Sequence, residues 1–113
     1  MNATQSKATA LADCIAACAE CHETCERLIY AHCLNAGGKH ARPEHVRLMA
    51  DCAQICRTSA DFMIRNSSHH AVTCRACAEI CEACASDCEA IGEMDDCVGA
   101  CRRCAASCRQ MAA

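Results

Sequence analysis

Large apolar side chains are scarce in this sequence of 113 residues. It has no Trp, one Tyr, one Phe and one Pro, and Leu, Ile, Val and Phe together supply only 14 residues. So few β-branched and aromatic residues argue against a β-sheet, and so few large aliphatic residues argue against a conventional hydrophobic core. The net charge of -3 is too small for the disorder that a weak core would otherwise suggest. Without a basic stripe, no role with nucleic acid is predicted.

Alanine and cysteine take the place of the missing apolar residues. The chain has 24 Ala and 16 Cys, and because cysteine is among the most often buried residues, we predict that it forms the interior. No stretch approaches 18 uncharged apolar residues, so no membrane span is expected. The first seven residues lack the pattern of a secretory signal, and we therefore expect a cytoplasmic protein with reduced thiols. In that compartment dense cysteine indicates a metal site or catalysis more often than disulfides.

The residues between the cysteines are strong helix formers, and the predicted fold class is all-α. The predicted helices cover residues 4–36, 43–66, about 68–91 and 94–111. Capping and stop residues bound them: Thr4 or Ser6 as the first N-cap, Gly37 or Gly38 as the first stop, Pro43 as the start of the second helix, Ser67 or Ser68 as the third N-cap and Gly92 as the third stop. The short connections predict one domain over residues 1–113, an antiparallel up-down-up-down four-helix bundle with a Cys-lined core.

The cysteine spacing is an internal repeat. Three segments have successive spacings of 4, 3 and 4 residues: Cys14, Cys18, Cys21 and Cys25; Cys77, Cys81, Cys84 and Cys88; and Cys97, Cys101, Cys104 and Cys108. Cys74 extends the middle segment by one step, and Cys52 and Cys56 form a pair in the second helix. Alternating steps of four and three place side chains along one face of a helix, the a/d seam. Four such faces turned inward would produce a tube lined with sulfur.

A seam made only for packing would use leucine or isoleucine, which stabilise far more on burial. Cysteine pairs three or four residues apart on one helix are also poorly placed for disulfides. Soft thiolates select Cu(I), Zn(II) or iron–sulfur clusters. Zinc favours closed sets of four ligands, whereas an uninterrupted file of thiols suits Cu(I), which can share bridging thiolates. With one ion for each thiolate, this preference implies on the order of 16 Cu(I) ions.

The metal chemistry thus predicts storage or buffering of Cu(I) without catalytic activity. Two alternatives stay open: an iron–sulfur electron carrier and a Zn(II) buffering protein. The spacing differs from the bacterial ferredoxin run, which has intervals of 2, 2 and 3 residues followed by Pro. The segment Cys14-x3-Cys18-x2-Cys21 matches the cluster signature of radical-SAM enzymes, but that chemistry requires a far larger barrel.

Extending the seams past the last thiols brings imidazole and thioether groups to the ends of the bundle. Three seams meet at one end, which we predict to admit copper; the residues expected there as further ligands are His45, Met49, Met94, His32 and Cys33. The same extension reaches Met63, His70 and Met111 at the opposite end, where Leu11 and Phe62 would close the core. His22 and His40 are expected on the surface or in a loop, Ser59 is expected as small filler, and the carboxylates are interpreted as solvated.

The sequence resembles the bacterial copper storage proteins over nearly its whole length. The resemblance is carried by CIAACAEC at 14–21, DCAQIC at 51–56, CRACAEICEACASDC at 74–88, CVGACRRCAASC at 97–108 and the ending CRQMAA. It implies a four-helix bundle that binds many Cu(I) ions in a cysteine-lined lumen, and the cytosolic branch of the family. It further implies a homotetramer and Cu(I) uptake at one open end where His and Met supplement the thiols. Apart from the resemblance, a copper chaperone is predicted as the donor. The second helix has fewer cysteines than the others, and Cys33 lies one position off the strict seam.

Overall fold

The computed structural model describes residues 3–113, with side chains from Ser6 onward. Helix α1 spans Ala3–Leu28 and continues through a π-helical turn, Ile29–Cys33, into a last α-helical turn, Leu34–Ala36. A 3-10 turn, Gly38–Ala41, leads to α2, Pro43–Ile64. Two further helices follow, α3 at His70–Ile91 and α4 at Asp95–Ala112. The described residues contain no strand, which confirms the predicted all-α class.

The four helices form an elongated bundle of about 50 × 22 × 20 Å. Helix α1 packs against α2 and α4, and α3 packs against the same two helices from the other side. Because consecutive helices are joined by short turns, neighbours run antiparallel, as predicted. One end of the bundle, called the His45 end below, contains the last turns of α1 and α3 and the first turns of α2 and α4. The opposite end is called the Met63 end.

Several predicted helix boundaries are confirmed. Pro43 is the first residue of α2, where its missing N–H and fixed φ are compatible with a helix. Gly37 ends the first helix with φ of 71°, and Gly92 ends α3 with φ of 87°. In this left-handed region a side chain would be strained, which is why glycine suits both stops.

The predicted N-caps were wrong. The described helix already includes Ala3, so Ser6 lies inside α1, as does the backbone of Thr4. Helix α3 begins at His70, because the Ser67 hydroxyl accepts a hydrogen bond from the His69 N–H within the turn and does not cap the helix. Helix α2 ends at Ile64, before the predicted Asn66, whose φ of 54° places it outside the helical region.

A π-helical turn accounts for the irregular position of Cys33. The Leu34 N–H donates to the Ile29 carbonyl, five residues earlier, so this turn contains one residue more than an α-helical turn. The regular seam predicted Leu28 and His32 inside; the structure buries Ile29 and Cys33 and leaves Leu28 and His32 half-buried. The extra residue therefore returns Cys33 to the column of thiols.

Because the helix stops and strong helix formers are built into the chain, we expect the bundle to fold without metal. Protonated thiols are small hydrophobic groups, and their burial requires no ion. Circular dichroism of the reduced, metal-free protein should show a strongly helical spectrum that changes little when copper is added. A random-coil spectrum that becomes helical only with copper would contradict this expectation, since it is the behaviour of domains whose metal supplies the folding energy.

Candidate metal centre

All sixteen cysteines are free, and each is completely buried. Fifteen of them face inward because of the repeating steps of four and three, and Cys33 joins them through the π-helical turn. Alanines flank the thiols along the interior, as at Ala53, Ala78, Ala85 and Ala105, each following a cysteine directly. Their small side chains let the helices approach closely, so the thiols of facing helices come into contact.

The thiols form a continuous column along the bundle axis. Contacts between helices include Cys88–Cys97 at 3.3 Å, Cys56–Cys81 at 3.4 Å and Cys18–Cys108 at 3.5 Å between sulfur atoms. Further contacts of 3.7 Å link Cys21 to Cys101 and Cys52 to Cys81. Neighbouring sulfurs along one helix are also close, as between Cys77 and Cys81 at 3.8 Å. No gap divides these linked thiols into separate sites of the zinc-finger kind.

Groups of four thiols within 4.8 Å of one another overlap along the column. Four such groups are Cys18, Cys77, Cys104 and Cys108; Cys21, Cys56, Cys81 and Cys104; Cys21, Cys25, Cys52 and Cys101; and Cys25, Cys84, Cys97 and Cys101. Cys104 belongs to the first two groups and Cys21 to the second and third, while Cys25 and Cys101 both belong to the last two. If neighbouring groups are filled together, the shared thiolates must bridge metal ions.

At the His45 end the column terminates in a mixed nitrogen and sulfur cluster. The Cys33 sulfur lies 3.5 Å from His45 Nε2, 3.6 Å from the Met49 sulfur and 3.9 Å from the Met94 sulfur. All four side chains are at most 2% exposed. The structure thus brings together four of the five residues that the sequence placed at this end.

Asp87 is a partner of this cluster that the sequence interpretation missed. Its carboxylate lies 2.7 Å from His45 Nδ1. With Nδ1–H donating to Asp87, the lone pair of Nε2 faces the sulfur atoms, the arrangement in which a carboxylate orients a metal-binding histidine. The carboxylates had been interpreted as solvated, but Asp87 is only 29% exposed. No local signal marks it in the sequence, since Asp13, Asp51 and Asp96 also directly precede a cysteine and are exposed.

His32 and His40 form a second group beside the cluster. Their ring centroids lie 4.9 Å apart with the planes at 79°. The sequence predicts His40 on the surface or in a loop. It does lie in the 3-10 turn between the first two helices, but its side chain is buried, with 7% exposed. Among the described residues, His32 Nε2 and His40 Nδ1 are buried without a hydrogen-bond partner. Each buried nitrogen without a hydrogen-bond partner lowers the free energy of unfolding by about 1–3 kcal/mol.

The Met63 end is closed by fewer potential ligands. The Met63 sulfur lies 3.8 Å from Cys74, and the Ser59 hydroxyl lies 3.4 Å from the same thiol. His70 bonds to the Ser67 carbonyl at 2.9 Å, so its Nδ1 is already engaged in the turn. Three other residues expected at this end are half-buried: Leu11, Phe62 and Met111.

His22 has a structural partner away from both ends. Its Nδ1 lies 2.8 Å from the Ala53 carbonyl on α2, and the side chain is half-buried between the helices. This histidine was expected on the surface, and the hydrogen bond gives it a role in the packing of α1 against α2.

The family model of the copper storage proteins matches residues 7–113. The chain belongs to the copper storage protein family. No curated protein matches this chain.

Solved structures of similar proteins agree with this family. A protein from Nitrosospira multiformis with a crystal structure is 50% identical in sequence to this chain. The match covers 92% of this chain and 95% of that protein's chain, with a TM-score of 0.90. The Cu(I)-bound copper storage protein BsCsp3 is 35% identical with a TM-score of 0.82, covering 88% of this chain and 95% of its own. Apo copper storage protein 3 from Bacillus subtilis is 36% identical with a TM-score of 0.73, covering 88% and 96%.

Hydrogen bonds between thiols and burial both shift the proton affinity of the thiols. Burial raises the pKa of Cys33 above the ordinary 9.0, because a thiolate loses its hydration. Hydrogen bonds between thiols act in opposite directions on the two partners: the bond with Cys104 raises the pKa of Cys18, whereas bonds from Cys108 and Cys18 lower the pKa of Cys104 to about 6. Such bonds redistribute protons within this pair, while burial raises the pKa of both Cys18 and Cys104.

The stability of the metal-free protein should therefore fall in alkaline solution. A thiol whose pKa is raised by folding stabilises the native state fully below the ordinary pKa of 9.0. This contribution is lost as the pH rises toward the native pKa, by about 1.4 kcal/mol for each such thiol and pH unit. Thermal unfolding of the reduced apo-protein between pH 8 and 10.5 measures the effect. The Cu(I)-loaded protein is the control, because its thiolates have already released their protons; an equal loss of stability in both forms would contradict the explanation.

Proposed function

We propose that this protein stores Cu(I) on the thiolates of its core. The observation that supports the proposal is the continuous column of buried thiols, in which groups of four share members. Residues 1–113 then act as one storage domain. Catalysis is not part of the proposed function: every thiol is completely buried, which leaves no exposed sulfur nucleophile.

The arrangement favours Cu(I) over the two alternatives. Isolated tetrahedral Zn(II) sites need four thiols each, but filling one group removes thiols such as Cys21 or Cys104 from the next. An iron–sulfur carrier needs only one or two sets of four ligands and would leave most of the column unused. Cu(I) is a soft ion that thiolates select, and bridging by shared thiolates lets the whole column be occupied. The Cu(I)-bound relative BsCsp3 supports the same choice.

Copper is proposed to pass through the His45 end. There the thiol column ends in Cys33, with His45, Met49 and Met94 in contact around it. Imidazole and thioether bind Cu(I) less strongly than thiolate, so they can accept an ion and pass it inward. Met94, a member of this cluster, also lines an outer cavity together with His32. At the Met63 end, by contrast, the structure shows one thioether in contact with the last thiols, Met63 at 3.8 Å from Cys74.

Assembly and location follow as further parts of the proposal. Large apolar side chains remain exposed at Tyr30, Leu34, Ile64 and Val72; they offer contact area for a homotetramer. A copper chaperone is proposed as the donor, since free Cu(I) would react with other thiols before reaching the store. A cytoplasmic location agrees with sixteen unpaired cysteines. None of the helices among residues 3–113 combines the length and apolar character needed to span a membrane.

Dense filling predicts a large copper capacity. Anaerobic titration of the reduced protein with Cu(I), against a competing chromophoric ligand, should saturate well above four equivalents per chain. Ser59→Cys should add up to one ion, because Ser59 is completely buried and lies 3.4 Å from the Cys74 sulfur, whereas Ser59→Ala should leave the capacity unchanged. Saturation at four equivalents or fewer, with Zn(II) competing equally, would contradict bridged Cu(I) storage and favour isolated tetrahedral sites.

The proposed entrance predicts a kinetic difference between the two ends. The triple variant His45→Gln, Met49→Leu and Met94→Leu should slow the loading and removal of Cu(I) several-fold while lowering the capacity by only a few ions. Leucine preserves most of the buried volume, so the cost to folding is small. Stopped-flow transfer from a Cu(I) chelate measures both rates.

The matched control replaces the potential ligands of the Met63 end, as Met63→Leu, His70→Gln and Met111→Leu. Its rates should equal those of the unsubstituted protein. Slow exchange in this variant, with normal rates in the first, would place the entrance at the Met63 end.

A further inference from the structure

The pair of His32 and His40 is not explained by the storage of Cu(I) on thiolates. His40 is 7% exposed, and its ring packs edge-on against His32 at 4.9 Å between centroids. One nitrogen of each ring, His40 Nδ1 and His32 Nε2, is buried without a partner among residues 3–113. Buried polar atoms in native proteins are nearly always paired. Two unpaired nitrogens on adjacent rings therefore indicate that a ligand completes them.

Local irregularities in the backbone create this pair. The π-helical turn moves His32 off the seam and out of the thiol column, because its extra residue gives the inner position to Cys33. The 3-10 turn Gly38–Ala41 then folds His40 back toward α1, after Gly37 with its φ of 71° has ended the first helix. An uninterrupted α-helix would have placed His32 inside, with the sulfur atoms.

The surroundings of His32, on one side of the pair, attract cations. His32 lines a cavity of about 310 Å³ together with Glu93, Asp95 and Asp96, whose carboxylates supply negative charge and oxygen donors. Met94 is the one sulfur donor lining this cavity. Imidazole nitrogen with carboxylate oxygen is a donor set suited to a borderline divalent ion such as Zn(II), in contrast to the soft thiolates of the core.

We propose that His32 Nε2 and His40 Nδ1 bind one borderline divalent cation of the Zn(II) type, outside the thiol column. Carboxylate or water completes the coordination, as in zinc sites that have fewer than four protein ligands. The ion links the end of α1 to the 3-10 turn beside the proposed copper entrance. The protein then has two metal-binding regions of different chemistry, an inner one of sulfur and an outer one of nitrogen and oxygen.

The test first saturates the full chain with Cu(I) under anaerobic conditions, so that the thiolates are occupied, and then adds Zn(II) against a chromophoric chelator. The unsubstituted protein should bind one equivalent of Zn(II). His32→Gln and His40→Gln should each weaken this binding at least about tenfold, since even the loss of an outer-shell partner typically costs 10–100-fold in metal affinity. His69→Gln, which changes an exposed histidine at the other end of the bundle, should bind Zn(II) normally.

A measurement on the unsubstituted protein covers the case in which His40→Gln does not fold. Nitrogen-15 NMR of the histidine rings should show coordination shifts at His32 Nε2 and His40 Nδ1 when Zn(II) is added, with those of His69 unchanged. Unperturbed His32 and His40 signals, or Zn(II) binding that is equal in all three variants, would overturn the proposal. The Cu(I) equivalents taken up in the first step report on the storage function separately.

Discussion

The burial of cysteine where a helical bundle ordinarily places leucine determines the rest of this structure. A thiol fills little volume, so the helices must approach closely for the sulfurs to touch, and buried alanines beside the cysteines permit that approach. The fold thereby gives up much of the stabilisation that larger side chains would supply. High helix propensity offsets part of this loss. Ion pairs add a smaller contribution, as between Arg103 and Glu20 at 2.6 Å, because exposed pairs contribute little.

The same steps of four and three residues produce both the fold and the proposed store. A seam that keeps every thiol on one face also keeps successive sulfurs within contact distance, as for Cys97 and Cys101 at 3.8 Å. Facing helices then interleave their sulfurs, and overlapping groups of thiols follow from the geometry. Bridging coordination requires no additional structural feature, because a regular heptad pattern of cysteine leaves no boundary between neighbouring groups of thiols.

The inner column was predictable from the sequence because it depends only on periodicity. The helix class, the antiparallel order and the inward direction of the repeated cysteines all follow from regular spacing. The clustering of imidazole and thioether groups at the His45 end was also predicted, by extending the same spacing to His45, Met49 and Met94. What regular spacing could not show was a change in the period itself: the π-helical turn at Ile29–Cys33 exchanged the positions of His32 and Cys33.

Contacts between distant segments were the other limit of prediction. Asp87 orients His45 across 42 positions of the chain, and no local pattern distinguishes this carboxylate from its solvated neighbours. His40 lies in a short turn between helices, where periodicity carries no information about burial. The contacts of Asp87 and the burial of His40 depend on how the ends of different helices pack together, which the sequence pattern does not show.

Irregular backbone at one end makes the two ends of the bundle chemically different. Along most of its length the interior presents only sulfur, so neighbouring positions differ little for a soft ion. The π-helical turn and the 3-10 turn break this uniformity at the His45 end, where they place the rings of His32 and His40 outside the last thiol. The connection between α3 and α4 and the first turn of α4 add carboxylates beside His32. The proposed ligands therefore become progressively softer from the exterior inward, and a soft ion binds more tightly as it advances along them. In the proposed function, this gradient gives a bundle of otherwise similar helices one end at which copper enters and leaves.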